Sequence, residues 1–177
     1  MHYLQCLIYC LGRNERQYPL KRTYDHKIGI ISDTHGLVSQ RVVKSFKDVD
    51  LIVHAGDVGK LEVLETLQAI AKVYPVRGNV DSGKWADNLP ETEVVKVGQV
   101  YLYVLHDINA LDLDPVAAGF KAVISGHSHI PKIEERNGVL FLNPGSAGPR
   151  RFKYPVSMAF LYVNGVSIDA EIVELKE

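Results

Sequence analysis

Three short apolar runs separated by helical patterns constrain this chain more than any other feature. Lys27-Ile28-Gly29-Ile30-Ile31-Ser32, Asp50-Leu51-Ile52-Val53-His54 and residues 73–76 are strand-length and apolar enough to be buried on both faces. Between them, Val38, Val42, Val43 and Phe46 fall on one helical face, as do Leu61, Leu64, Leu67 and Ala71. The alternation predicts βαβαβ and hence a parallel sheet. Ligands of such a sheet bind outside the carboxyl ends of its strands.

The pattern changes after residue 90. Residues 92–97 and 99–105, joined at Gly98, are expected to form an antiparallel pair ending in His106-Asp107. Asp114-Pro115 and Gly119 bracket a very short helix, with Asp as cap, Pro at its first position and Gly past its end. Residues 121–124 form another strand. Two hairpins then turn on Asn-Gly pairs: 132–136 with 139–142 around Asn137-Gly138, and 156–163 with 166–173 around Asn164-Gly165. The expectation is an α/β domain, parallel in its first half and built of antiparallel hairpins in its second.

Composition narrows the class. At 177 residues the chain suits one domain that buries about 70 % of its unfolded surface. Its 20 basic and 21 acidic residues argue against nucleic-acid binding by charge alone. No apolar run approaches the ~18 residues that span a membrane. Residues 1–26 stand apart as an N-terminal appendage, expected to be poorly ordered, with residues 27–177 forming the domain. The appendage lacks the pattern of a secretory signal. It holds both cysteines, Cys6 and Cys10, which with His2 are read as part of a short or frayed terminus rather than a metal clip. Two cysteines so placed cannot staple the remainder, and a reducing cytoplasm is expected.

The chemistry sits at the strand ends. Asp33, His35, Asp57, Asn79, His106, His127 and His129 each follow an expected strand's carboxyl end by one to five residues, where a site belongs. Four of the chain's seven histidines are among them. His127 and His129 follow the apolar run Ala122-Val123-Ile124 in Gly126-His127-Ser128-His129, two residues apart and so on one side of the chain. Any one of the seven could be an unrelated polar loop residue; seven placed alike are poorly explained that way.

The ordered set Asp33-x-His35, Gly56-Asp57, Gly78-Asn79, His106 and Gly126-His127-x-His129 resembles the calcineurin-like metallophosphoesterase superfamily. It is most similar to that superfamily's small, single-domain prokaryotic phosphodiesterases. The resemblance covers residues 27–177 and includes Asn143-Pro144-Gly145-Ser146. It implies an αββα four-layer sandwich, the metallo-dependent phosphatase fold, with two metals in a cleft. Asp33, His35 and His129 would hold the first metal and Asn79, His106 and His127 the second, with Asp57 bridging them. Catalytic duty falls to Asp57, Asn79 and His106. Four imidazoles, two carboxylates and an amide oxygen favour manganese, iron, zinc or nickel over magnesium or calcium, and manganese is the first choice.

The implied chemistry is hydrolysis of a phosphodiester by in-line attack of a metal-bridging hydroxide. Two divalent cations, two carboxylates and that hydroxide leave a residual charge of about +1, which a singly charged diester would neutralise. Some neighbours depart from the superfamily pattern. Val80 stands where many members place a histidine that protonates the leaving group, so aryl esters should react faster than alkyl esters. Asp107 replaces a usual glycine, where it either disturbs the second metal or joins its surroundings. Asp81 is either a partner for a ligand histidine or a solvated turn residue. His54 is either a histidine bonded to backbone or a support for the site. Arg150 and Arg151 are candidates to hold a substrate phosphate, against plain solvated loop arginines.

The partner implied is a small phosphodiester, without membrane or strong nucleic-acid signal; a homo-oligomer is admitted but not required. Residues 27–177 carry 16 basic and 19 acidic residues, so a nuclease track would have to be local. The alternative reading is a non-catalytic interaction scaffold on the same fold, like the small retromer subunit. That lineage substitutes some ligand positions, whereas all seven are intact here.

Overall fold

Two five-stranded sheets pack face to face in the computed structural model, which describes residues 24–149 and 154–175. In the first sheet β1 (His26–Ile31), β2 (Leu51–His54) and β3 (Lys72–Pro75) run parallel. Helices α1 (Gln40–Ser45) and α2 (Leu61–Gln68) make the two crossovers. Strands β9 (Ser157–Asn164) and β10 (Ser167–Glu174) return antiparallel beside β1, giving the order β10-β9-β1-β2-β3. The second sheet has the order β4-β5-β6-β8-β7. Its members are β4 (Thr92–Val97), β5 (Val100–Leu105), β6 (Ala122–Ile124), β7 (Lys132–Arg136) and β8 (Val139–Asn143).

Alternation in β1 decides the layers. Ile28 and Ile30 point between the sheets, where they meet Val53, Leu102, Ile124 and Leu161. Ile31 points the other way, into a second core with Val42, Phe46, Leu64 and Leu67 from the helices. Phe46 lies flat against Gly29, where a side chain would meet its ring at 2.9 Å. Each such fully buried aliphatic or aromatic side chain contributes about 1.5–3 kcal/mol. Ser39 caps α1 by accepting from Val42 N at 3.3 Å. Leu61, expected on the buried stripe of α2, is 43 % exposed because it opens the helix beside solvent.

The βαβαβ first half is as the periodicity predicts, and the sandwich architecture holds. The second half is mixed rather than purely antiparallel, for β5, β6 and β8 run parallel. Residues 106–121 and 125–138 are long enough to cross over between them. The outer face of this sheet carries a light fourth layer: Ile108, Leu111, Leu113 and Phe120 cover Tyr103 and Val123. Among the described residues that layer has a 3-10 turn, Ile108–Ala110, and no α-helix. The expected helix at 114–119 is a single turn, with Asp114 Oδ1 accepting from Val116 N and Gly119 at φ +77°.

The Asn137-Gly138 turn is as expected, both residues having positive φ, the I′ pattern. The last hairpin turns one residue later than read: Asn164 pairs with Ser167, leaving Gly165-Val166 as the loop with Gly165 at φ +58°. At the amino end, Tyr24 stacks on Tyr162 at 4.3 Å, and Asp25 N donates to Val163 O. The domain therefore extends at least back to Tyr24. The remainder of the expected appendage, with His2, Cys6 and Cys10, lies outside the described residues, as do Arg150 and Arg151. Among the described residues no helix is long and apolar enough to cross a membrane.

Candidate metal centre

The loops leaving β1, β2, β3, β5 and β6 meet at one rim where the two sheets converge. They are woven together through the backbone. Asp33 N donates to Gly56 O and His35 N to Asp57 O, both at 3.0 Å, while Gly126 N donates to His106 O at 2.9 Å. Glycines before the ligands permit this closeness. A Cβ at Gly56 would sit 2.5 Å from His106 Nδ1, one at Gly78 2.1 Å from Asp57 N, and one at Gly126 1.9 Å from Ser32 Oγ. Each glycine of the Gly-Asp, Gly-Asn and Gly-His pairs is thus the seat of a neighbouring loop.

Backbone strain marks the same residues. Asp33, His35, Asp57, His127 and His129 have φ between +48° and +65°, and the only other non-glycine so disposed among the described residues is the turn residue Asn137. Left-handed backbone costs a non-glycine residue about 1–3 kcal/mol, and it concentrates at functional sites.

The first set of donors is tight. Ligand atoms of Asp33, His35, Asp57 and His129 all lie within 4.8 Å of one another. His35 Nε2 is 3.3 Å from His129 Nε2, which is 3.1 Å from Asp33 Oδ1. Asp33 Oδ2 is anchored by Ser32 Oγ at 2.7 Å and His127 N at 3.1 Å. Asp33 Oδ1, by contrast, is buried without a hydrogen bond. An orphaned carboxylate oxygen turned toward two imidazole nitrogens fits a cation. Two nitrogens on one tetrahedral zinc, at bonds of about 2.0–2.1 Å, stand about 3.4 Å apart.

The second set adjoins it. Asn79 Oδ1 is 3.1 Å from His106 Nε2 and 3.0 Å from His127 Nδ1. Asp57 Oδ1 is 3.3 Å from His106 Nε2 and accepts from Val80 N at 3.0 Å. His106 Nδ1 donates to Ala55 O at 2.7 Å, which leaves Nε2 as the ligand atom. All seven ligands expected from the sequence are therefore at this rim, and Asp57 touches both sets.

Charge is managed by burial and contact. Burial pushes the Asp33 carboxyl above the usual carboxylate range, opposed by the Ser32 hydroxyl and by His106 and His129. Burial works the same way on Asp57, but the His106 contact and Val80 N outweigh it and hold its pKa low. Burial disfavours a charged His106; the contacts with Asp57 and Ala55 O reverse that and raise its pKa. His54 is wholly buried, and desolvation pushes its pKa down to about 3, so the ring is neutral.

Two neighbouring residues hold the loops that carry these side chains. The Asp81 carboxylate meets backbone donors rather than a histidine, accepting from Val58 N, Gly59 N and Gly78 N at 3.2, 2.7 and 2.8 Å. It staples the turn after Asp57 to the turn before Asn79. His54 Nε2 bonds Thr34 Oγ1 at 2.9 Å, and Thr34 Oγ1 donates to Val58 O, so His54 supports the Asp33–His35 loop from behind. Sequence reasoning missed the roles of Ser32, Asn143 and Ser146. Asn143 Nδ2 donates to Gly126 O at 2.6 Å, and Ser146 Oγ donates to Asp33 O at 3.0 Å. The signal for Asn143 was its place as another polar residue ending an apolar strand.

A cleft of about 570 Å³ opens beside the second set, lined by Arg77, Asn79, Tyr103, His106, Asp107 and His127. Arg77 is paired there with Glu91 at 2.6 Å. Val80, next to Asn79, is 43 % exposed.

Residues 27–165 match the model of the calcineurin-like phosphoesterase superfamily domain. A probable metallophosphoesterase of Methanothermobacter thermautotrophicus is 36 % identical over 157 residues, covering 82 % of this chain and 91 % of that protein. Vacuolar protein sorting 29 of Cryptosporidium parvum has the same fold, with a TM-score of 0.74 at 22 % identity over 88 % of this chain and 94 % of that one. The E. coli phosphoesterase Yfce does too, with a TM-score of 0.61 at 24 % identity over 85 % and 100 % of the respective chains.

Proposed function

The chain belongs to the calcineurin-like phosphoesterase superfamily, and on that footing we propose that it is a phosphodiesterase working with two divalent transition-metal ions. The observation that carries this reading is the convergence of seven donors from five loops, with a buried Asp33 oxygen that has no hydrogen bond among them. Asp33, His35 and His129 would hold one ion, Asn79, His106 and His127 the other, and Asp57 both. The mixed nitrogen and oxygen set suits manganese first, with iron, nickel or zinc as alternatives. Such ions polarise phosphoryl oxygens and lower the pKa of water to supply a nucleophile near neutrality.

The protein's own contribution is position and charge. Ala55 O fixes the His106 tautomer, and Ser32, Asn143 and Ser146 fix the loops that carry Asp33 and His127. Asp33 and Asp57 reduce the positive charge so that a singly charged diester is the matching substrate. The cleft past His127 would give one ester arm a place to lie while the leaving alkoxide or aryloxide is displaced from phosphorus in line. Val80 supplies no proton to the leaving oxygen, which directs the enzyme toward esters with good leaving groups.

The test is hydrolysis of bis(p-nitrophenyl) phosphate against p-nitrophenyl phosphate, with the metal-freed protein and added Mn²⁺. The expected result is Mn²⁺-dependent turnover that favours the diester. Faster monoester hydrolysis would overturn the substrate class. A folded, metal-loaded protein inactive on both would favour an interaction scaffold, the reading to which the Vps29 likeness lends its fold.

A further inference from the structure

We propose that Asp107 is the positioning residue for His127 and thereby sets the affinity of the second metal position, an inference that rests on the two-ion reading above. His127 needs such a partner. Its side chain is 45 % exposed, against 7 % for His106 and 11 % for His129, so packing does little to hold the ring. Its Nδ1 faces Asn79 Oδ1 at 3.0 Å, on the ligand side. Nε2 is then the one polar atom by which the ring can be held from behind.

Asp107 Oδ2 faces that atom at 3.9 Å, longer than a hydrogen bond and within reach of an ion pair. The carboxylate is not a free loop charge. Its Oδ1 accepts from Asn109 N and Asn109 Nδ2, both at 3.0 Å, and caps the turn Ile108–Ala110. With Oδ1 so fixed, Oδ2 is aimed by the backbone. Arg77, the basic side chain among the described lining of the cleft, is engaged by Glu91. A carboxylate on the rear nitrogen of a ligand histidine sets its tautomer and raises its basicity, and losing such a partner typically weakens metal binding about 10–100-fold. His106 obtains the same service from Ala55 O, and Asp107 supplies it to His127.

The experiment is calorimetric titration of the metal-freed full chain with Mn²⁺, comparing wild type, Asp107→Asn and Asp107→Glu. Asn keeps the oxygen that caps the turn and removes the anionic one. The expected result is two binding steps in the wild type. In Asp107→Asn one step should loosen about 10–100-fold while the other stays within about 2-fold, and Asp107→Glu should recover part of the loss. Unchanged binding in Asp107→Asn overturns the proposal while leaving two ions in place, and so does equal weakening of both steps. Fewer than two ions on the wild type overturns the two-ion reading and this proposal with it.

Discussion

Replacing Asp81 by asparagine tests whether the site is held together from behind by one carboxylate. Asp81 is 8 % exposed and accepts three backbone hydrogen bonds. Oδ2 serves Val58 N and Gly78 N, and Oδ1 serves Gly59 N. Hydrogen bonds to a charged acceptor contribute about 1.5–3 kcal/mol each, about twice a neutral one. In the best orientation of asparagine the oxygen keeps Val58 N and Gly78 N as neutral bonds, while the amide group meets the Gly59 N–H donor to donor. Two weakened bonds and one buried unmade bond come to about 3 kcal/mol. In a domain this size 1 kcal/mol shifts the melting temperature by about 2–4 °C, so the expected fall is roughly 9 °C. The assay is urea and thermal unfolding of metal-free protein at pH 7, with exposed Asp87→Asn as the control, expected within about 0.5 kcal/mol of wild type. Because the stapled turns flank Asp57 and Asn79, Mn²⁺ affinity should fall as well. A loss no greater than that of the control would refute the staple.

Other perturbations probe different parts of the account. His54 stays neutral in the folded protein down to about pH 3, while in the unfolded chain it takes a proton near 6.5, so its contribution is lost as pH falls through that window. Between pH 7 and pH 5 that amounts to about 2 kcal/mol, and His54→Gln should show a correspondingly smaller drop in urea stability over the same interval. Equal drops would contradict it. Gly126→Ala would place a Cβ 1.9 Å from Ser32 Oγ and 2.7 Å from Asp33 Oδ2. It should cost about 1–3 kcal/mol in urea unfolding and reduce Mn²⁺ uptake, and unaltered uptake would count against the packing argument. Alkyl diesters should turn over about 10²–10⁴-fold more slowly than aryl diesters, and Val80→His should narrow that ratio. Equal wild-type rates with chemistry limiting would show that no leaving-group acid is missing.

The candidate donors were legible in the sequence because a parallel sheet puts its site where apolar strands end, and each of the seven follows such an end. Its supports were not, because they are backbone groups brought together only by folding. Nothing near Asp81 in the chain points to Gly59 N, 22 residues away. Asn143 reads as a strand end, and its hold on Gly126 O appears only once β8 lies beside β6. Asn137-Gly138 announces its hairpin locally, whereas the parallel pairing of β5, β6 and β8 depends on crossovers whose direction no local residue encodes. The shift of the last turn to Gly165-Val166 is of the same kind, since Asn164-Gly165 is an equally good local signal.

Asp57 is proposed to join two metal positions into one hydrolytic centre. Equilibrium dialysis of metal-freed wild type and Asp57→Asn against Mn²⁺, counting ions per chain, tests it most directly. The account predicts two ions on the wild type and a parallel loss of affinity at both positions in the variant. A wild type that saturates at one ion, or a variant that still binds two with unchanged affinity, would contradict it.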